Sequence, residues 1–137
     1  MAEMLCARAL ANRLDCDVAD LENYNYVVMS AGVATMGSAP VSDGARDAVK
    51  EYGVSLDLHE SQPMTDSLLQ FADLIFVMGR AHKEAVLNQR PETRDRIYLL
   101  RPDEQDISDP LGGNLEVYRE CAKQINSAIE DRMDLIL

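Results

Sequence analysis

The chain has 137 residues, 47% hydrophobic and 27% charged, with Lys+Arg 13 against Asp+Glu 24 and a formal net charge of −11. That length predicts one domain over residues 1–137, able to bury about 68% of the surface its unfolded form exposes, without staples. The acidic balance argues against nucleic acid and anionic lipid as partners, and no apolar run approaches the ~20 residues of a membrane span.

The opening residues lack the basic-then-apolar order of a signal peptide. Cys6, Cys16 and Cys121 are odd in number, far apart and without a C-x-x-C pair, which predicts a reducing, cytoplasmic setting rather than a disulfide scaffold or a zinc knuckle. Two basic clusters, Arg80 to Lys83 and Arg90 to Arg101, run against the overall charge and leave room for a local anion site.

In chain order, MAEMLCARALANRL predicts a helix, with Ala2, Cys6, Leu10 and Leu14 at i+4 spacing and no Gly or Pro. It has no Ser, Thr, Asp or Asn ahead of it to accept from its first N–H groups. A polar stretch from Asp15 to Asn25 leads to Tyr26-Val27-Val28-Met29, read as a buried strand stopped by Ser30-Ala31-Gly32. After a Gly- and Pro-bearing loop, Asp43 is expected to cap a helix carrying Ala45, Ala48, Val49 and Tyr52, with Gly53 at its stop. Thr65 is expected to cap a shorter helix through Leu68, Leu69 and Phe71.

Leu74-Ile75-Phe76-Val77-Met78 is five consecutive apolar residues, the pattern of a parallel strand covered on both faces. A helix from about Arg80 to Asn88, a strand at Ile97 to Leu100 and a polar loop from Asp106 to Gly113 follow. The last helix carries Leu115, Tyr118, Ala122, Ile125, Ile129 and Met133 on one face. Strands alternating with helices predict an α/β fold, a parallel sheet with helices on both faces, whose ligands sit beyond the carboxyl ends of the strands.

A phosphatase loop of the form C-x-x-x-x-x-R wraps backbone N–H groups and a bidentate guanidinium round a phosphate. None of the cysteines begins one, since six residues on stand Asn12, Glu22 and Ser127. Cys6 and Cys121 are therefore expected to pack as small apolar residues. Asp109 in Asp109-Pro110-Leu111-Gly112-Gly113 fits either a turn before a helix or a general acid beyond a strand end. His59 and His82 lack metal-ligand spacing, and Ser30 lacks a G-x-S-x-G setting, so no metal or cofactor is expected.

In order and spacing, several runs together resemble the low-molecular-weight protein-tyrosine-phosphatase family in its bacterial branch. They are the opening M-A-E, Ser30-Ala31-Gly32, His59 in L-D-L-H-E-S-Q, Ala72 to Met78 followed by Arg80-Ala81-His82, and Asp106 to Gly113 ahead of Leu115-Glu116-Val117-Tyr118. The resemblance implies a three-layer sandwich and hydrolysis of a phosphomonoester, on a phosphorylated protein or a small aryl phosphate, through a cysteinyl-phosphate.

It implies Asp109 as general acid, with Ser30 and His59 as supporting residues that hydrogen-bond the phosphate loop. In that family a strand and the C-x-x-x-x-x-R loop precede the M-A-E helix, so one interior strand, the nucleophile, the arginine and the helix cap are expected to be missing here. The chain as given is then expected to be inactive. A catalytically dead binding or regulatory module is the alternative, and arsenate reduction ranks below both because Gly79 to Arg101 holds no redox cysteine. Gln62 stands where many members have Arg, Gly79 where Thr or Asp is usual, and the D-P-L-G-G run looks more like the bacterial protein-arginine phosphatases.

Overall fold

The computed structural model describes residues 1–32, 43–56, 62–110 and 113–137. The helices are α1 (Ala2–Leu14), α2 (Asp43–Lys50), α3 (Asp66–Phe71), α4 (Arg80–Gln89) and α5 (Leu115–Ile136), and the strands are β1 (Ile75–Val77) and β2 (Ile97–Leu99). The strands run parallel, with Ile75 opposite Ile97, Phe76 opposite Tyr98 and Val77 opposite Leu99.

Strand side chains alternate between faces, so this short pair separates two cores. Val77, Ile97 and Leu99 pack with Leu69 of α3 and Val86 of α4. Phe76, Met78 and Leu100 face the larger core, built from Leu5 and Leu10 of α1, Val49 of α2 and Ile125, Ile129 and Met133 of α5. The result is a parallel sheet between two helical layers, as the alternation of elements predicts. In the larger layer α1 and α2 both pack on α5.

Thr65 caps α3 as expected, its Oγ1 accepting from Leu68 N–H at 3.2 Å. Gly53 closes the turn after α2 at a φ of +72°, a conformation that costs glycine little. Asp43 stands in the first turn of α2, at the edge of the described residues.

Three expectations need correction. Tyr26 to Met29 is not a buried strand: it has no ladder partner among the described residues, and Val27 and Met29 are 54% and 48% exposed. β-branched and aromatic composition reports a side chain suited to a pleated surface, not the presence of a neighbouring backbone at pairing distance. Sheet-like pairing comes later in the chain, at a parallel bridge between Gly32 and Pro63.

The apolar run Leu74 to Met78 supplies only three paired residues, with Ile75 and Phe76 half-buried. The polar stretches hide two 3-10 helices, Val18–Tyr24 and Pro91–Arg96, whose tight turns leave no 3.6-residue apolar period to read. The loop at 33–42 lies outside the described residues.

Candidate functional site

Beyond the carboxyl ends of β1 and β2, residues 101–110 form a loop pinned at several points. Asp103 accepts from Arg101 Nε and Nη2 at 3.1 and 2.6 Å and from Gln105 N–H at 3.2 Å. Ile107 N–H donates to the Met78 carbonyl at 2.7 Å, and the Ile107 side chain enters the larger core. Asp106 Oδ1 accepts from Arg80 N–H at 3.0 Å. Gly113 N–H closes a turn onto the Pro110 carbonyl at 2.8 Å, after which Asn114 Oδ1 caps α5 by accepting from Val117 N–H at 3.1 Å. Asp109 rides on this loop and is exposed.

Ser30 reaches the same end of the molecule by another route. Its hydroxyl donates to Glu3 Oε1 in the first turn of α1 at 3.3 Å. Its carbonyl accepts from Gln62 Nε2 at 2.8 Å, while Gly32 N–H donates to the Gln62 carbonyl at 2.8 Å and Met64 N–H to the Gly32 carbonyl at 3.1 Å. Gln62, at a position where the resemblance leads one to expect Arg, therefore ties the Ser30 turn to the chain ahead of α3.

Cys121, buried on α5, holds the Asp109 loop. Its thiol donates to the Ser108 carbonyl at 3.7 Å. Burial pushes this thiol up, the α-amino group of Met1 pulls it down, and Asp109 pushes it up again. Both the start of α1 and Asp109 thus stand within electrostatic reach of one side chain. Cys121 stays protonated at neutral pH and serves as a donor, not a nucleophile. Burial likewise pushes Cys6 up to about 11.

Ser30 thus sits against the first turn of α1, and the Asp109 loop is held through Ser108 to Cys121 of α5. His59 lies outside the described residues, and His82 is half-buried on α4. Among the described residues no group of three His, Cys, Asp or Glu side chains could hold a metal ion, and no helix is long and apolar enough to cross a membrane. An acidic hollow of about 370 Å³ lined by Asp15, Cys16, Asp17, Asp20 and Tyr24 lies at the opposite end of α1.

Glu3 and the thiol hydrogen bond of Cys121 carry no individual signal in the sequence, and Gln62 stands out there only as a departure from Arg. For Asp106 the sequence holds one signal, a helix at Arg80 preceded by Gly79, which has no side chain to cap it.

The family profile described as "Low molecular weight phosphotyrosine protein phosphatase" matches residues 2–136. The chain is 28% identical over 128 residues to the protein-arginine-phosphatase of Bacillus subtilis, covering 90% of this chain and 85% of the relative. It is 26% identical over 106 residues to the low molecular weight protein-tyrosine-phosphatase Etp of Escherichia coli, covering 76% and 72%. Among solved structures it is similar to the low molecular weight protein tyrosine phosphatase from T. tengcongensis, with a TM-score of 0.82 and 29% identity over 98% of this chain and 88% of the other. The match along nearly the whole length, together with the parallel sheet and the loop bearing Asp109 beyond it, means that the chain belongs to the low molecular weight phosphotyrosine protein phosphatase family.

Proposed function

We propose that this chain carries the proton-donor half of a phosphomonoester-hydrolysing site acting on phosphorylated proteins in the cytoplasm. Asp109 would protonate the leaving oxygen as the phosphoryl group passes to a cysteine, then assist water in attacking the cysteinyl-phosphate. Ser30 would support the phosphate-binding loop, as would His59. The cysteine nucleophile and the phosphate-binding arginine are not among these 137 residues, which hold no C-x-x-x-x-x-R. The chain alone is therefore proposed to lack turnover.

The observation that supports this reading is the Ser30 hydroxyl bonded into the first turn of α1, with the Asp109 loop fastened beyond the carboxyl end of β1. A helix N-terminus presents free N–H groups and the positive end of the macrodipole, the environment an anionic phosphate needs. Both a protein-arginine-phosphatase and a protein-tyrosine-phosphatase are among the relatives, which supports a phosphorylated protein side chain as the substrate class.

The test has two arms. The chain alone, assayed with an aryl phosphate, should show no turnover, and turnover blocked by thiol alkylation would overturn that half. The same chain joined at its N-terminus to the strand and C-x-x-x-x-x-R segment of the B. subtilis relative should hydrolyse the aryl phosphate. There, Asp109→Asn should lower kcat about 10²–10⁴-fold. An active fusion indifferent to Asp109→Asn would remove Asp109 from the mechanism.

A further inference from the structure

α4 takes its cap from a different part of the chain. α3 and α5 are capped by the residue just before them, Thr65 and Asn114. α4 follows Gly79, which has no side chain to accept from the first-turn N–H groups. Asp106, 26 residues further on, supplies the carboxylate, accepting from Arg80 N–H at 3.0 Å.

Glycine at 79 leaves the carboxylate its room. A Cβ there would stand 3.3 Å from Asp106 Cγ and 3.4 Å from Oδ2, and the nearest atoms to that position belong to the Asp106 carboxylate. A residue with a Cβ at position 79 would press on the carboxylate and oblige it to shift by a few tenths of an ångström. The connection is reinforced on both sides: Arg80 Nη2 donates to the Glu104 carbonyl at 3.2 Å, and Ile107 N–H donates to the Met78 carbonyl at 2.7 Å. Two residues after Asp106, the Ser108 carbonyl takes the Cys121 thiol at 3.7 Å, and Asp109 comes next.

We propose that Asp106 is a positioning residue for Asp109, fastening the loop that bears Asp109 to the carboxyl end of β1 by capping α4 from outside the helix. The negative carboxylate at the positive end of the helix adds an electrostatic hold to the hydrogen bond. The loop's position and the start of α4 are then a single unit. The proposal rests on the reading of Asp109 as proton donor, but its test needs no turnover.

The experiment follows alkylation of each cysteine of the 137-residue chain by iodoacetamide, resolved by peptide mass spectrometry, alongside the melting temperature. Cys121 reports the loop, because its buried thiol is bonded to the Ser108 carbonyl; Cys6 on α1 reports the rest of the fold. Asp106→Ala should label Cys121 at least 10-fold faster with the Cys6 rate unchanged. Asp106→Asn, whose amide oxygen accepts the same bond, should stay near the parent.

The deciding variant is Gly79→Ser combined with Asp106→Ala. Removing the carboxylate relieves the tight contact with a Cβ at 79, and the serine can cap α4 itself. The double variant should regain the melting temperature lost in Asp106→Ala while Cys121 remains fast. If its Cys121 rate returned to the parent's, Asp106 would be a helix cap and nothing more. An unchanged Cys121 rate in a folded Asp106→Ala chain would overturn the proposal equally. Should Asp106→Ala unfold, all cysteines would label together, and the Cys121 rate of the double variant would then decide between the two roles. Failure of Asp109 in the fusion assay leaves these labelling outcomes untouched, so the two readings fail separately.

Discussion

The Ser30 hydroxyl donates to Glu3 Oε1 at 3.3 Å, joining residues 27 positions apart at the start of α1. The contact is partly buried, so losing it should cost about 0.5–1.5 kcal/mol. Ser30→Ala is expected to lower the unfolding free energy from urea titration by that amount. In a double-mutant cycle with Glu3→Ala, the two changes should cost less together than the sum of each alone. Strict additivity would mean that the pair does not couple in solution.

Gly44 lies under the Tyr118 ring, where a Cβ would stand 2.5 Å from Cδ2 and 2.7 Å from Cε2. Gly→Ala within a helix ordinarily gains up to about 1 kcal/mol. Here the overlap reverses the sign, because Tyr118 is buried and cannot move aside freely. Gly44→Ala should destabilise by about 1–3 kcal/mol in chemical denaturation. Combining it with Tyr118→Leu should remove most of that penalty relative to Tyr118→Leu alone, and a stabilising Gly44→Ala would show that the ring has room to shift.

Arg132 binds α5 to the end of β2, donating from Nε to the Leu100 carbonyl at 3.2 Å and from Nη2 to the Leu99 carbonyl at 2.6 Å. Its guanidinium lies 5.5 Å from the Tyr98 ring centre and 5.9 Å from that of Phe76. Arg132→Ala should cost about 2 kcal/mol, in the range for hydrogen bonds to a charged group. Arg132→Lys should recover less than half, because one ammonium cannot span both carbonyls and lie flat on the rings. Equal stability of the lysine variant and the parent would contradict this.

Cys6 sets a pH limit. Burial pushes its thiol up to about 11, against an ordinary value of 9.0. Above pH 9 the unfolded chain loses this proton while the folded chain keeps it, so folding stability is complete below that pH and falls as pH rises towards 11. The loss should be on the order of 2 kcal/mol and should shrink in Cys6→Ala. Denaturation midpoints from pH 8 to 11 provide the measurement, and parallel curves for the two proteins would rule Cys6 out as the source.

Much of the fold was legible because helices advertise themselves by period. The apolar residues of α1 and α5 recur every three or four positions, and Thr65 stands where a cap belongs, so those elements follow from local chemistry. Tyr26 to Met29 misled for the opposite reason: its residues suit a strand, but a strand exists only where another backbone offers N–H and C=O groups in register.

The same division runs through the site. By itself the sequence determined the family, through the order and spacing of short runs, and it marked Asp109 and Ser30 as the residues worth locating. Only the tertiary structure decided that Glu3 receives the Ser30 hydroxyl, that Gln62 secures the Ser30 turn, and that Asp106 caps a helix beginning 26 residues earlier. These are contacts between residues far apart in the chain. They depend on how the sheet and two helical layers come together, and no local period or propensity encodes that distance.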